Sequence, residues 1–431
     1  MEIKLERYDA YKNSGVEWLG EIPKHWEVFS LKNVGLVKNG ATPSSANSKY
    51  WDGDLVWVTP TDINNIITIT DSERKITNLG YRSCGTTLVP EGSIILTTRA
   101  PIGKVVIAGV DLCTNQGCKS IIVNNGTYSK FLYYLFLISY KILNGLGTGT
   151  TFLELSNKEL KNFIVPNPPL KEQTAIAQFL DDKTQKIDQA IRVKQEQIVL
   201  LKERRQVLIH QAVTRGLDKT VKLKDSGVDW IGEIPEHWVL TKAKYYSKVF
   251  VPERSKPELN IGKEGLPWIT TDNIRNQELS ANDVMYYVSD FERKKTGSRI
   301  IRAESVIATC VGNFGIAKKI GFDCIINQQL QGFINLKIDA DYLTSLISIS
   351  EDYFKNNSTL TTIMYVSKDT FGALPIPLPN QKEQREIVTY IEFISLKTTT
   401  AISLKEKEIE KLKEYKASLI NSVVTGKVMV N

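Results

Sequence analysis

Residues 14–26 read SGVEWLGEIPKHW, and residues 226–238 read SGVDWIGEIPEHW. Ten of the thirteen positions are identical, two more are conservative, and the offset is 212. The correspondence continues. Trp57-Val58-Thr59 matches Trp268-Ile269-Thr270, and Asn115-Gln116 matches Asn327-Gln328. Lys171-Glu172-Gln173 then matches Lys382-Glu383-Gln384, and Ala212-Val213-Thr214 matches Val423-Val424-Thr425. A period of about 211 residues is far beyond the roughly 20–50 of solenoid repeats. The chain is therefore a tandem duplication of a whole unit, a mixed domain followed by a helix.

Within a unit, short β-branched runs (54–59, 93–98, 104–108 and 119–123) lie between Gly, Pro, Asn and Asp. They read as strands and turns. One apolar helix is expected over 130–143, with 342–354 as its counterpart. Each mixed domain closes on a proline-rich stretch, FIVPNPPLKEQ at 163–173 and LPIPLPNQKEQ at 374–384. Proline suits a helix start, with its fixed φ and missing donor.

A heptad pattern follows. Ile187, Ile191, Lys194, Ile198, Leu201, Arg205 and Leu208 step by four and three, and Thr398, Ile402, Lys405, Ile409, Leu412, Lys416 and Leu419 repeat the register. No Gly or Pro occurs over 170–215 or 381–425. Helices this long and thinly apolar need a partner, and the two copies are the obvious pair. The expected coiled-coil seam is Ile187, Ile191, Ile198, Leu201 and Leu208 against Ile402, Ile409, Leu412 and Leu419. Its basic members either bury their stems and snorkel or face acidic residues across the pair. The linker over 216–224 favours an antiparallel arrangement, with the mixed domains at opposite ends of a spacer. The expected fold class is α+β, divided into domains at 1–168, 169–215, 216–379 and 380–426.

Of 431 residues, 42% are hydrophobic and 38 are aromatic (7 Trp, 17 Tyr, 14 Phe), which excludes a disordered chain. The longest apolar run, 131–143, is too short for a membrane span. The charged start, 1–11, has no apolar export core. Five cysteines without a CxxC pair suggest a reducing cytoplasm. The net charge of +7 permits a polyanion partner without demanding one, since 1–170 hold 17 basic and 15 acidic residues and 217–380 hold 20 of each.

Chemical motifs are scarce. No GxxxxGK[ST] phosphate loop occurs. The glycines of 145–149 have no glycine counterpart at 356–360, so that stretch reads as a loop. Three histidines, two of them repeat equivalents (His25 and His237), and scattered cysteines assemble no set of metal ligands. The pair is read as structural. Asn167-Pro168-Pro169-Leu170 resembles the motif with which amino-methyltransferases grip a flipped adenine. Leu170 offers no aromatic face, however, and the second copy reads Leu378-Pro379-Asn380-Gln381, so a helix start is the better reading. No catalysis by this chain itself is expected.

Taken together, the duplicated G-x-x-W-[LI]-G-x-[IL]-P-x-H-W opening, the P-x-P-x-x-x-[KQ]-E-Q helix starts and the helix endings 212–216 and 423–427 resemble a specificity (S) subunit of a type I restriction-modification system. The resemblance covers essentially the whole chain. It implies two target-recognition domains, each reading half of an asymmetric, bipartite site in double-stranded DNA, with an antiparallel helical spacer fixing the gap. It further implies docking of two methyltransferase (M) subunits, which bind S-adenosylmethionine and methylate adenine N6, and of restriction (R) subunits using ATP and Mg. No cofactor and no membrane is expected for this chain. If ~30 residues of each helix separate the domains, the span is ~45 Å, or ~13 bp.

Residue chemistry suggests the DNA contacts: Arg and Lys suit guanine, Asn and Gln adenine, Ser, Thr or Lys phosphate. The first-domain candidates are Lys38, Thr42, Ser44, Thr61, Arg99, Asn115, Gln116 and Lys119. In the second they are Arg254, Lys256, Thr271, Asn273, Asn313, Asn327 and Gln328. The bland alternative for each is a solvated loop residue. For Asn115-Gln116 and Asn327-Gln328, kept in both copies, another is fixing the backbone. Identity collapses mid-domain, where Thr98-Arg99-Ala100 faces Thr309-Cys310-Val311. The rival readings are a duplicated adaptor that binds proteins instead of DNA, and an enzyme with its own methyltransferase site.

Overall fold

The computed structural model describes residues 6–64, 66–149, 153–275, 279–359 and 363–430. Leu360 of the loop counterpart, and the first five residues of the charged start, lie outside them. The chain forms two compact units: Met1–Lys194 with Lys407–Asn431, and Gln195–Glu406.

The first unit is built on a sheet of β1 (Gly35–Asn39), β3 (Ile94–Thr97), β4 (Val105–Ala108) and β5 (Cys118–Val123), in the order β1-β5-β3-β4, with Thr68–Ile69 added at the β4 edge. A second sheet sets β2 (Trp51–Val58) between Leu112–Thr114, parallel, and Lys75–Ile76, antiparallel. All four residues of β3 and of β4 are buried, which explains why these strands read as continuous apolar runs. The predicted helix is two, α1 (Ser129–Ile138) and α2 (Tyr140–Gly145). At the break the buried Ser139 turns its hydroxyl back to the Leu135 carbonyl at 2.8 Å.

The second unit repeats the plan with β6 (Lys248–Phe250), β7 (Leu266–Ile269), β8 (Val306–Thr309), β9 (Ala317–Lys319) and β10 (Leu330–Ile334). The sheet order β6-β10-β8-β9 matches the first, and β7 lies parallel to Ile325–Ile326. Helices α4 (Ala340–Ser348) and α5 (Glu351–Asn356) break at Ser350, whose hydroxyl donates to the Leu346 carbonyl at 2.7 Å.

The proline-rich stretches are strands before they are helix starts. Ile164–Asn167 pairs with Glu27–Ser30, and Pro375–Leu378 with Val239–Lys242, each in a two-stranded sheet. A ladder with only two strands tolerates residues that cannot donate.

The long helices are α3 (Leu170–Arg215) and α6 (Gln381–Val424), 46 and 44 residues without interruption. Within the first unit, Lys416 donates to Asp188 at 2.7 Å and Lys194 to Glu408 at 2.5 Å. Contact positions rise along α3 as they fall along α6, so the helices run antiparallel. These basic seam residues therefore face carboxylates across the pair instead of merely snorkelling. Ile187, Ile191, Leu412 and Leu419 join the core of this unit, while Leu208 packs with Ile209, Ile391 and Ile394 in the core of the other. Ile198, Leu201 and Ile402 are half-buried and Ile409 is buried.

Each unit is thus closed by the end of the other repeat's helix. In the first, Gly426 at φ 73° turns against Trp26 and Pro23. In the second, Gly216 at φ 72° turns against Trp238. Both tryptophans are essentially fully buried. Left-handed glycine is the usual helix stop, and here a side chain would collide with the indole.

Candidate nucleic-acid interface

The duplicated motifs meet at one corner in each unit. Glu172, from the helix start, accepts from the Trp26 indole at 3.0 Å, faces His25 Nε2 at 2.9 Å and accepts from the Tyr8 hydroxyl. Glu383 repeats this with His237 at 2.8 Å and Trp238 at 3.4 Å, and Asn380 replaces the tyrosine at 2.8 Å. Burial pushes the Glu383 carboxyl up, but the bonds from His237 and Trp238 and the histidine's charge outweigh it and hold the group below the usual range. The neighbouring glutamines are buried. Gln173 accepts from the Tyr128 N–H at 2.8 Å and donates to the Pro168 carbonyl at 2.8 Å, and Gln384 bonds Asp339 and Pro379 likewise. Sequence reasoning saw these residues only as a helix start. Their repetition in both copies is the signal that could have marked them as a joint.

The loop carrying Thr42 and Ser44 is pinned by two indoles. Trp57 Nε1 donates to the Ala41 carbonyl at 3.0 Å and Trp51 Nε1 to the Ser44 carbonyl at 3.2 Å. The rings pack edge to face at 5.1 Å, and the Arg74 guanidinium lies 3.6 Å over Trp51. The Thr42 hydroxyl donates to Gln116 Oε1. In the second unit Gln328 does the corresponding work, donating to the Glu253 carbonyl at 2.9 Å and, more distantly, to that of Arg254. Arg254 and Lys256 themselves are exposed.

An open cleft of about 590 Å³ beside this loop is lined by Gln116, Lys119, Glu154 and Asn157, among others. Lys119 is only 6% exposed. Its ammonium reaches Thr98 Oγ1 at 3.5 Å and Glu154 at 3.9 Å. Burial, helped by the Arg99 charge and opposed by Glu154, holds it below the usual lysine range. Arg99 is exposed and pairs with Glu154 at 3.1 Å. Thr42, Arg99, Gln116 and Lys119 are therefore gathered around one cleft.

Other candidates sit apart from it. Lys38 is half-buried on β1 opposite Ser120. The Thr61 and Thr59 hydroxyls are hydrogen-bonded to each other at 2.7 Å. Asn115 and Asn327 hold their own turns, accepting from the N–H groups of Gly117 at 2.9 Å and Gln329 at 3.2 Å. Asn273 accepts from the Thr270 N–H at 2.8 Å, as Asp62 does from Thr59 at 2.7 Å. Thr271 donates to Gln329 at 3.3 Å, and Asn313 is exposed.

Strand register corrects one correspondence. Lys119 pairs with Leu96, and Gln331 with Ala308. Thr98 receives its bond from Leu155, and Cys310 from Val366. Thr98 therefore matches Cys310, and Arg99 matches Val311, one residue off the linear reading. The charged trio Arg99, Lys119 and Glu154 is replaced in the second unit by Val311, Gln331 and Tyr365. Among the described residues no group of three or more His, Cys, Asp or Glu could hold a metal ion, and no helix is long and apolar enough to cross a membrane.

Two α+β units thus repeat one sheet order and one Trp–His–Glu corner while differing at the positions of Arg99, Lys119 and Glu154, which defines a duplicated protein. The family described as Type I restriction modification DNA specificity domain matches residues 23–198 and 248–414. The chain belongs to that family, as a type I restriction-modification specificity subunit.

Among its relatives, the putative type I restriction enzyme MjaX specificity subunit of Methanocaldococcus jannaschii is 25% identical over the whole of both chains. The MjaIX specificity subunit of the same organism is 43% identical over 38% of each chain. The crystal structure of the HsdS subunit from Thermoanaerobacter tengcongensis shares the fold at a TM-score of 0.56 and 17% identity, covering 94% of this chain and 98% of that one. A chain from a structure of complex assembly and conformational transition of the type I R-M system reaches 0.73 at the same identity and coverage.

Proposed function

We propose that the heads at 1–168 and 216–379 each read one half of a bipartite, asymmetric sequence in double-stranded DNA. The helices at 169–215 and 380–426 fix the gap between the halves and help dock two M subunits. The chain is non-catalytic. Adenine N6 methylation from S-adenosylmethionine belongs to the M subunits, and ATP- and Mg-dependent cleavage to R subunits, in the cytoplasm.

The observation that carries this reading is the contrast between conserved and divergent parts. The Trp–His–Glu corners and sheet orders repeat, as two copies of one partner require. The cleft residues do not repeat, as two different half-sites require. Neutral amides and hydroxyls on pinned loops suit base edges, and exposed Arg254 and Lys256 suit phosphates. The adaptor reading is not favoured, since the matching family is a DNA specificity domain.

The test is a mobility-shift titration of the chain with purified M subunit against duplexes that do and do not carry the motif methylated in its host. Preference of about 10³-fold or more for the motif is expected. Equal affinity for all duplexes, or no binding at low salt, contradicts the reading.

A further inference from the structure

The most faithfully repeated stretch of the chain carries a carboxylate that the fold leaves idle. Within 14–26 and 226–238 the scaffold accounts for most of the rest. Leu19, Ile22 and Trp26 are buried, like Ile231, Ile234 and Trp238. The Ser14 N–H donates to the Gly20 carbonyl at 3.0 Å and the Gly20 N–H to the Val16 carbonyl at 2.9 Å. Ser226, Gly232 and Val228 repeat both bonds at the same lengths. Gly20 and Gly232 are left-handed, at φ 63° and 69°. This turn presents Glu17 and Asp229, both exposed, next to the half-buried Trp18 and Trp230. Neither carboxylate has a hydrogen bond or an ion pair among the described residues.

Each turn borders an open cleft within its own unit. Glu17, Trp18, Leu19 and Gly20 line one of about 330 Å³, and Asp229, Trp230, Ile231 and Gly232 line one of about 680 Å³. The remaining walls differ, with Arg7 and Lys427 in the first and His210 and Asp352 in the second. A partner that uses both clefts alike can rely only on what they share: a carboxylate, an indole and an aliphatic floor.

We propose that each of these clefts seats one of the two M subunits through a Lys or Arg side chain of that subunit, an inference that rests on the function proposed above. The shared chemistry selects a long cation. Its apolar stem can lie along the indole, whose face also attracts the charge, and its head can reach the unpaired carboxylate. Tryptophan is among the residues on which interfaces concentrate their binding energy. Two clefts with one shared lining give two copies of one protein equal places. DNA does not suit them, because its anionic backbone is repelled by Glu17 and Asp229.

Calorimetric titration of the full chain with purified M subunit tests this. The wild-type chain should take up two M subunits. Glu17→Lys and Asp229→Lys should each keep one site and weaken the other about a hundredfold, and the double variant should weaken both. Glu17→Gln and Asp229→Asn, which remove the charge and keep the shape, should weaken the same site by less. Two sites of wild-type affinity in both reversals, or loss of both sites in either, overturns the inference while leaving the wild-type uptake, and the function, intact. A wild-type chain that takes up no M subunit overturns the function itself.

Discussion

The closure of each head by the other repeat's helix predicts a graded series of glycine substitutions. Gly20, Gly216 and Gly426 all have left-handed backbones, with φ of 63°, 72° and 73°. A side chain in that conformation costs about 1–2 kcal/mol. Space separates the three. A Cβ at Gly20 would meet nothing within 4 Å, one at Gly216 would lie 3.2 Å from Trp238, and one at Gly426 would lie 2.4 Å from Pro23 and 2.9 Å from Trp26. Overpacking of a rigid ring against a buried indole adds about 1–3 kcal/mol. Gly426→Ala should therefore lose about 2–5 kcal/mol, Gly20→Ala about 1–2, and Gly216→Ala a value between them. Urea unfolding with tryptophan fluorescence measures the losses. Hydrogen exchange should show the Gly426→Ala loss concentrated in the strands around Trp26. Equal losses at all three positions, or protection unchanged around Trp26, would refute the packing argument.

Three further outcomes follow from the same geometry. Gln173→Ala leaves the Tyr128 N–H and the Pro168 carbonyl without partners, so chemical denaturation should register about 2–3 kcal/mol of lost stability, where a solvated side chain would give almost none. A double-mutant cycle on Asp188 and Lys416, 56% and 29% exposed, should give a coupling of only ~0.5 kcal/mol that fades in high salt. The Ala303 N–H, then the Arg302 guanidinium, hold Asp323 below the usual carboxylate range. Its folded pKa lies below its unfolded one, so this stabilisation is complete above about pH 4 and lost as pH falls through the folded value. Asp323→Asn should flatten the acid limb of the stability profile and leave the slope near neutrality unchanged.

Much of the scaffold is legible in the sequence because it is local or periodic. The duplication, the heptad seam and the buried strands each leave a pattern, and all survive in three dimensions. What escapes is long-range. The KEQ glutamate and glutamine look like helix-start chemistry until Trp26, His25 and Tyr128 are brought to them. Proline argues against strands, yet Pro166 and Pro377 sit in two-stranded ladders where no donor is required. Glu154 and Asn157 attract no notice in the sequence, because they reach the cleft from a segment far from Arg99 and Lys119. Linear alignment misplaces Arg99 by one residue for want of the strand register. Of the proposed DNA contacts, Asn115, Asn327 and Asn273 spend their side-chain acceptors on backbone turns, a role their residue type equally suits.

The boundaries of the two compact units fall at Lys194 and at Lys407, within both long helices. Inserting one heptad into each helix there preserves the seam and lengthens each by about 10.5 Å, close to 3 bp of duplex. Methylome sequencing of a host carrying the lengthened protein should then return both half-sites unaltered, with about 3 bp more between them. The same gap as wild type, or altered half-site bases, would contradict the idea that the paired helices set the distance between two independent reading heads.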